Sequence, residues 1–275
     1  KEGLVKMAER SAFTTLNQDI ATVSSKEEIV QQLTSLGIQK GMVLLVQADL
    51  QRLGYLIGGE QALIEALIDA VGYEGTLVMP TFTPQLLDPS CQKKTVERVY
   101  WDDVRASSFP FDRKLSAPQD ALSLQFLRNE GVVRSYHPLY SFAAWGKYAK
   151  LICDRHPLHF GLSKDSPLGK IVEFNGYTIL LGCEYESCSM FHLARYSGDQ
   201  LPIRLVSAPI ENNKQTIWKD MLDLDYHTKN FSEIGEAMEE RSVVKTSYIG
   251  NGRCRMFSAR EAITLATAYF HIHRD

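Results

Sequence analysis

Three consecutive stretches decide the fold: "MVLLVQ" at 42–47, "GGEQALIEALIDAVGYEG" at 58–75 and "TLVMP" at 76–80. The first is a continuous apolar run of strand length, the pattern of a strand buried on both faces. The second places apolar residues at helical spacing between glycines, and the third is another buried strand that ends on Pro80. Strand, helix and strand in that order predict a parallel pairing. Upstream, "SSKEEIVQQLTSLGIQKG" (24–41) reads as a helix with a serine cap, a following glutamate and a stop at Gly37. Downstream, "ALSLQFLRNEG" (121–131) reads as helix, and "YSFAAWG" (140–146) and "YTILLGCEY" (177–185) read as strands. The last third holds "LPIRLVSAPI" (201–210), an amphipathic segment over 232–241 and a closing helix in "SAREAITLATAYFHIH" (258–273). An α/β fold with a mostly parallel central sheet flanked by helices is expected. Residues 1–25 read as an N-terminal arm and 26–275 as a single domain. Within it the polar, proline-bearing stretch 81–120 is an elaborated segment of the kind that forms functional loops or lids.

The chain has 275 residues, 44% hydrophobic and 23% charged, which is enough for one large core. Its net charge of −3 is spread without a polybasic block, so neither nucleic acid nor a membrane surface is an expected partner, and a cationic substrate is permitted. No apolar run reaches the roughly 18–20 residues of a membrane span, and "KEGLVKMAERSAF" lacks the apolar centre of a signal peptide. A cytoplasmic location is the expectation. Cys91, Cys153, Cys183, Cys188 and Cys254 are odd in number, scattered and never spaced CxxC, as reduced thiols are. The sequence contains no GxGxxG, P-loop, GxSxG or HExxH pattern. "QRLGYL" (51–56) fails as an acetyltransferase pyrophosphate loop, because Leu56 stands where glycine or alanine is needed.

Candidate chemistry centres on "GCEYESCSMFHLARYS", 182–197. With Ser187 or Ser189 as cap, a helix beginning near Met190 carries His192 in its first turn, at the carboxyl end of a strand, where open α/β sheets bind ligands. Glu184 or Glu186 is close enough for a turn to bring a carboxylate to a ring nitrogen, fixing the tautomer and strengthening the base. The competing reading packs His192 against its helix neighbours and leaves both glutamates solvated. His192, Cys188 and Glu184 have no standard metal-ligand spacing, so no metal is expected. In "VVRSYHPLYSFAAWG" (132–146), His137 is held extended before proline, and Ala143 and Ala144 permit close approach of a ligand or a backbone. "FGLSKDSPLGK" (160–170) either presents N–H groups to an anion or simply turns the chain.

Together these stretches resemble the aminoglycoside 3-N-acetyltransferase family. The carrying segments are "KGMVLLVQADLQRLGYLIGGEQALIEALIDAVGYEGTLVMPT", "RSYHPLYSFAAWG", "HFGLSKDSPLG" and "YTILLGCEYESCSMFHLARY", with a weaker continuation in "MFSAREAITLA". The resemblance implies that family's own fold rather than the common acetyltransferase fold. It also implies an acyltransferase that moves an acetyl group from acetyl-CoA to an amine of a cationic antibiotic, a resistance activity. On that basis His192 and Glu186 are catalytic together with Gln47. Ala48, Asp49, Leu50, Thr81, Ser116 and Ser166 face the donor, and Asp102, Asp103, His137, Glu184 and Arg195 face the acceptor. A histidine near its ordinary pKa of about 6.5 suits removal of an amine proton, with Glu186 orienting the ring. The loop after Val46 or the helix start near Met190 would supply oxyanion donors. Direct transfer needs no covalent intermediate, and Cys188 or Ser189 as nucleophile lacks an evident base partner.

The family pattern also breaks at working positions. HSSL becomes "QADL" (47–50), an RGMG-like turn becomes "APQD" (117–120), and HLAE becomes "HLAR" (192–195). Gln47 cannot serve as a base but can hydrogen-bond a carbonyl. Ala117 removes a guanidinium and Asp120 adds a carboxylate at the turn expected to meet CoA, and Arg195 puts a cation where an acid is expected beside a polyamine. Two other readings therefore accompany acetyl transfer from acetyl-CoA. One is transfer from the phosphopantetheine of an acyl carrier protein to a different acceptor. The other is a catalytically silent small-molecule-binding relative.

Overall fold

The computed structural model describes residues 22–92, 96–198 and 201–273. Most of the expected N-terminal arm, residues 1–21, lies outside the described residues. The strands are β1 (Val23–Ser24), β2 (Val43–Ala48), β3 (Tyr55–Leu56), β4 (Thr76–Pro80), β5 (Val133–Arg134), β6 (Phe142–Gly146), β7 (Tyr177–Leu181), β8 (Ile203–Asn212), β9 (Gln215–Leu224), β10 (Lys245–Ile249) and β11 (Gly252–Ser258). The helices are α1 (Lys26–Leu36), α2 (Leu50–Leu53), α3 (Gly59–Val71), α4 (Trp101–Ser107), α5 (Ala121–Phe126), α6 (Ala149–Cys153), α7 (Pro167–Glu173), α8 (Ser189–Ala194), α9 (Phe231–Glu240) and α10 (Ala259–Ile272).

Local chemistry sets these boundaries. Ser25 and Glu28 form a reciprocal capping box on α1, and Gly37 ends the helix at φ 109°, a conformation open to glycine. Along β2, Val43 and Leu45 enter one core cluster while Leu44 and Val46 enter the other, which is why the run is apolar throughout. α1, α3 and α5 cover one face; α6 to α10 cover the other.

The seven-stranded sheet has the order β10-β11-β7-β2-β4-β6-β5. Within this sheet parallel pairing is confined to β7-β2-β4; β6 runs antiparallel to β4, β5 to β6, β11 to β7 and β10 to β11, while β1 and β3 pair in parallel as a separate two-stranded sheet. The α/β class stands, but the expected mostly parallel sheet is corrected to a mixed one. Strand direction depends on the connection. The long return after β4 reverses β6, and the tight turn after β10 leaves β11 only an antiparallel pairing. Apolar runs such as "FAAWG" carry no such information.

"LPIRLVSAPI" becomes β8, half of a separate two-stranded sheet with β9. Asn213 and Lys214 turn that hairpin with φ of 51° and 63°, the left-handed conformations of a tight hairpin loop. The 81–120 segment packs on this hairpin. Asp88 N–H donates to Ser207 O at 2.8 Å, Phe111 N–H to Pro209 O at 2.9 Å, and Trp218 Nε1–H to Arg105 O at 3.1 Å. A two-pronged pair, Arg105 Nε and Nη2 to Asp88 at 2.8 and 2.9 Å, closes it from within.

From β2 the chain passes to β4 on one side, while β7 pairs on the other. The carboxyl ends of these three parallel strands therefore open together, in the crevice where such sheets bind ligands.

Candidate active site

A cavity of about 410 Å³ occupies that crevice. β2 contributes Val46, Gln47 and Ala48; the chain after β4 contributes Phe82 and Pro84; the turn into α5 contributes Pro118, Gln119 and Asp120. The segment after β7 adds Cys183, Glu186 and Ser187, and α8 adds Ser189 and His192. The charged side chains in this lining, Asp120 and Glu186, are both acidic.

His192 is half-buried, its ring packed edge-on to Tyr226 (centroids 5.1 Å) and tilted on Phe231 (5.0 Å). Burial, reinforced by Arg195 and His227, pushes its imidazole down to about 3, so the ring is neutral near pH 7. Nδ1 is sealed without a hydrogen-bond partner among the described residues, which leaves Nε2 as the accessible nitrogen. The histidine thus packs against aromatic neighbours and also lines the cavity.

Glu186 lines the same cavity but does not orient the ring. Its carboxylate accepts from Ser232 Oγ–H, and that bond, with its own backbone N–H and the charge of Arg255, lowers its titration. Glu184 turns away into ion pairs with Arg52 Nη1 at 2.8 Å and Arg255 Nη2 at 2.9 Å. The expected carboxylate–imidazole contact is not formed by either residue.

Gln47 is engaged at both ends of its amide. Nε2–H donates to Ser187 O, and Oε1 accepts from Ser189 N–H at 2.9 Å. These partners flank Cys188, the α8 cap residue, whose own side chain makes no capping bond. The cap expected from Ser187 or Ser189 is thus supplied from β2. It also occupies the Ser189 N–H, and Asp49 N–H donates to Leu181 O at 2.9 Å, so these two expected oxyanion donors are already spent on the fold. Cys188 is wholly buried with its thiol pushed up to about 12 by burial, which removes it as a nucleophile.

Other predicted residues lie elsewhere. Ala48 lines the cavity; Asp49 instead caps α2 by accepting from Gln51 N–H at 3.1 Å, and Leu50 opens that helix. Ser166 caps α7 through Leu168 N–H at 3.2 Å. Asp102 and Asp103 are exposed on α4, with Asp102 paired to Arg105 at 3.2 Å. His137 is fully buried, its Nδ1 accepting from Leu139 and Tyr140 N–H at 3.1 and 3.0 Å. Arg195 is buried too, with Nη2 2.8 Å from His227 Nδ1 and its guanidinium over the Phe270 ring. It is not part of the cavity wall, so the expected repulsion of a polyamine does not arise there.

Thr81 and Ser116 are held by a residue that sequence reasoning missed, Arg134. Its Nε donates to Thr81 Oγ1 at 3.1 Å, Nη2 to Thr81 O at 2.7 Å, and Nη1 to Ser116 O and Arg113 O. Burial brings this guanidinium down to about 10. By fastening 113–116 to the end of β4 it sets the adjoining 118–120 wall. Asp120, for its part, caps α5 through Ser123 N–H at 2.7 Å. An arginine inside the apolar-flanked "VVRSYHPLY" was the available signal. Among the described residues, no group of three or more His, Cys, Asp or Glu is arranged to hold a metal ion.

A model of the family described as aminoglycoside 3-N-acetyltransferase matches residues 45–271. The SPbeta prophage-derived aminoglycoside N(3')-acetyltransferase-like protein YokD of Bacillus subtilis is 37% identical over 250 residues, 90% of this chain and 92% of that protein. Its crystal structure superposes with a TM-score of 0.87, covering 90% and 94% of the two chains. The aminoglycoside acetyltransferase AAC(3)-Xa, 26% identical, gives the same TM-score over 97% of this chain and all of that one. A mutant of AAC(3)-IVa in complex with a gentamicin, 27% identical, aligns at 0.78 over 92% and 90%. The chain belongs to the aminoglycoside 3-N-acetyltransferase family, a family of acyltransferases.

Proposed function

We propose that this protein transfers the acetyl group of acetyl-CoA to an amine of an aminoglycoside-like acceptor, with His192 as the proton acceptor. The observation that carries this reading is an accessible, neutral imidazole nitrogen in a cavity whose charged walls are both carboxylates. Asp120 and Glu186 favour an ammonium-bearing acceptor, of the class that the gentamicin bound to AAC(3)-IVa represents. The same two carboxylates repel CoA phosphates. The cavity therefore suits the acetyl-thioester end of the donor beside the acceptor amine, with the nucleotide end outside it. A carrier-protein donor and a silent binding role gain no support from relatives such as those named aminoglycoside N(3)-acetyltransferases VII and III.

The amine nitrogen bonds to the thioester carbonyl carbon as its proton passes to His192 Nε2. The C–S bond then breaks, and the departing thiolate takes that proton. Burial keeps the ring unprotonated near pH 7 but makes it a weaker base than the ordinary imidazole expected from the sequence, and the two cavity carboxylates offset this by stabilising the imidazolium formed in passing. Dependence on acetyl-CoA and unpaired thiols both favour a cytoplasmic location.

The test is product analysis. The protein is incubated with acetyl-CoA and an aminoglycoside, with a neutral aminocyclitol-free sugar as control, and products are weighed by mass spectrometry. A singly acetylated aminoglycoside with an unmodified control is expected; an unmodified aminoglycoside would sink the proposal.

A further inference from the structure

Among the neutral donors of the cavity lining, Gln119 and Ser187 belong to exposed residues, and one buried residue, Ser189, has a hydroxyl whose hydrogen is not engaged. Gln47 is bonded at both ends, Asp120 caps α5, and Glu186 holds Ser232. The Ser123 hydroxyl donates to Pro80 O at 2.8 Å. The Ser189 hydroxyl, in the same lining, makes no hydrogen bond to any described residue, although the residue is only 4% exposed. Its oxygen is not among the sealed, unpartnered side-chain atoms of the described residues, so the hydroxyl opens on the cavity and is available to a bound substrate. Ser189 stands three positions before His192 on α8, so both project from one face, with Cβ atoms roughly 5–6 Å apart. Its backbone is fixed by the Gln47 clamp on its N–H.

We propose that the Ser189 hydroxyl is the oxyanion donor of the acetyl transfer and therefore a catalytic residue; this rests on the reaction proposed above. As the amine attacks, the carbonyl oxygen gains negative charge and accepts the Ser189 O–H. His192 takes the amine proton at the same time. When the C–S bond breaks, the carbonyl re-forms, the proton on His192 leaves with the thiolate, and Ser189 keeps its own hydrogen throughout. Gln47 acts behind it as a positioning residue. The amide that replaces the family's histidine holds the serine without itself reaching the reacting atoms.

The experiment compares Ser189→Ala and Ser189→Thr with the unaltered chain in aminoglycoside acetylation, together with the infrared carbonyl stretch of bound acetyl-CoA. Loss of one oxyanion donor predicts a kcat lower by about 10²-fold in Ser189→Ala, KM values within about twofold, and most activity kept in Ser189→Thr. The carbonyl stretch should lie lower in the unaltered chain than in Ser189→Ala. An unchanged kcat in Ser189→Ala, or a loss confined to KM, overturns the assignment while leaving the reaction intact. An acetyl group found on Ser189 after mixing with acetyl-CoA alone overturns it in favour of a nucleophile. An inactive unaltered chain overturns both this assignment and the reaction beneath it.

Discussion

Two regions of the molecule bury histidines, and they do so to opposite ends. Beside the β5–β6 hairpin, His137 from its connection and His156 from the chain after α6 lie with rings 4.8 Å apart. His156 bonds Ser135 Oγ at 2.9 Å and Gly161 O at 2.7 Å, while His137 gathers the N–H groups of Leu139 and Tyr140. On α8, His192 is flanked by rings rather than polar partners, and Nε2 meets a cavity. Burial lowers all three titrations, to about 4 for His156, to about 3 for His192 and well below the ordinary value for His137. The shift therefore does not tell a working histidine from a structural one. What differs is where the spare capacity lies: His137 Nε2 also lacks a partner among the described residues but is sealed in the interior, whereas the nitrogen left to His192 opens on the cavity.

Chemistry supported by His137 or His156 would erase this difference. His156→Ala removes a buried ring and strands both its partners, so a loss of about 3 kcal/mol of stability is expected by chemical denaturation. Its kcat per folded molecule should stay within about threefold. Lost turnover at an unchanged melting point would place His156 in the reaction.

Acid sharpens the comparison. Below pH 6.5 the unfolded chain binds a proton on His156, while the folded chain refuses it down to about 4. Stability should therefore fall as pH drops through that window, by roughly 1.4 kcal/mol per pH unit from this residue, and His156→Gln should flatten the slope. The same neutrality at His192 predicts no enzyme inflection near 6.5 in kcat/KM. An acid limb there should move when the acceptor amine is changed.

Removing the clamp comes next in size. Gln47→Leu leaves Ser187 O and Ser189 N–H without their partner, and about a tenfold drop in kcat with unchanged KM is expected from the displaced α8 start. A raised KM instead would mean that Gln47 touches substrate. The smallest effect belongs to Glu184, an exposed carboxylate away from the cavity whose partners are exposed Arg52 and buried Arg255, the latter also held by Glu239 and Cys183 O. Glu184→Gln should change stability by less than about 1 kcal/mol and leave turnover alone.

Much of this was legible in residues close together along the chain. The β2-α3-β4 unit, the α1 caps and a histidine on a helix at a strand's carboxyl end all follow from short-range pattern. The rest depends on partners far away in sequence. Glu186 looked free to orient His192 until Ser232, 46 residues on, took its carboxylate. Glu184 is claimed by Arg52 and Arg255, and Arg195 by His227 and Phe270, so charges that the family resemblance assigned to the acceptor are used in packing. Strand direction in β6 and β11 was equally hidden, since burial fixes which residues are apolar and the connection fixes which way they run.

The most direct measurement is acceptor-dependent release of CoA thiol from acetyl-CoA by the unaltered protein and by His192→Ala, with the melting temperature of each. With His192 as proton acceptor, thiol release should require the aminoglycoside and should fall by about 10²–10⁴-fold in the variant while it remains folded. Turnover retained in a folded His192→Ala protein would contradict that role.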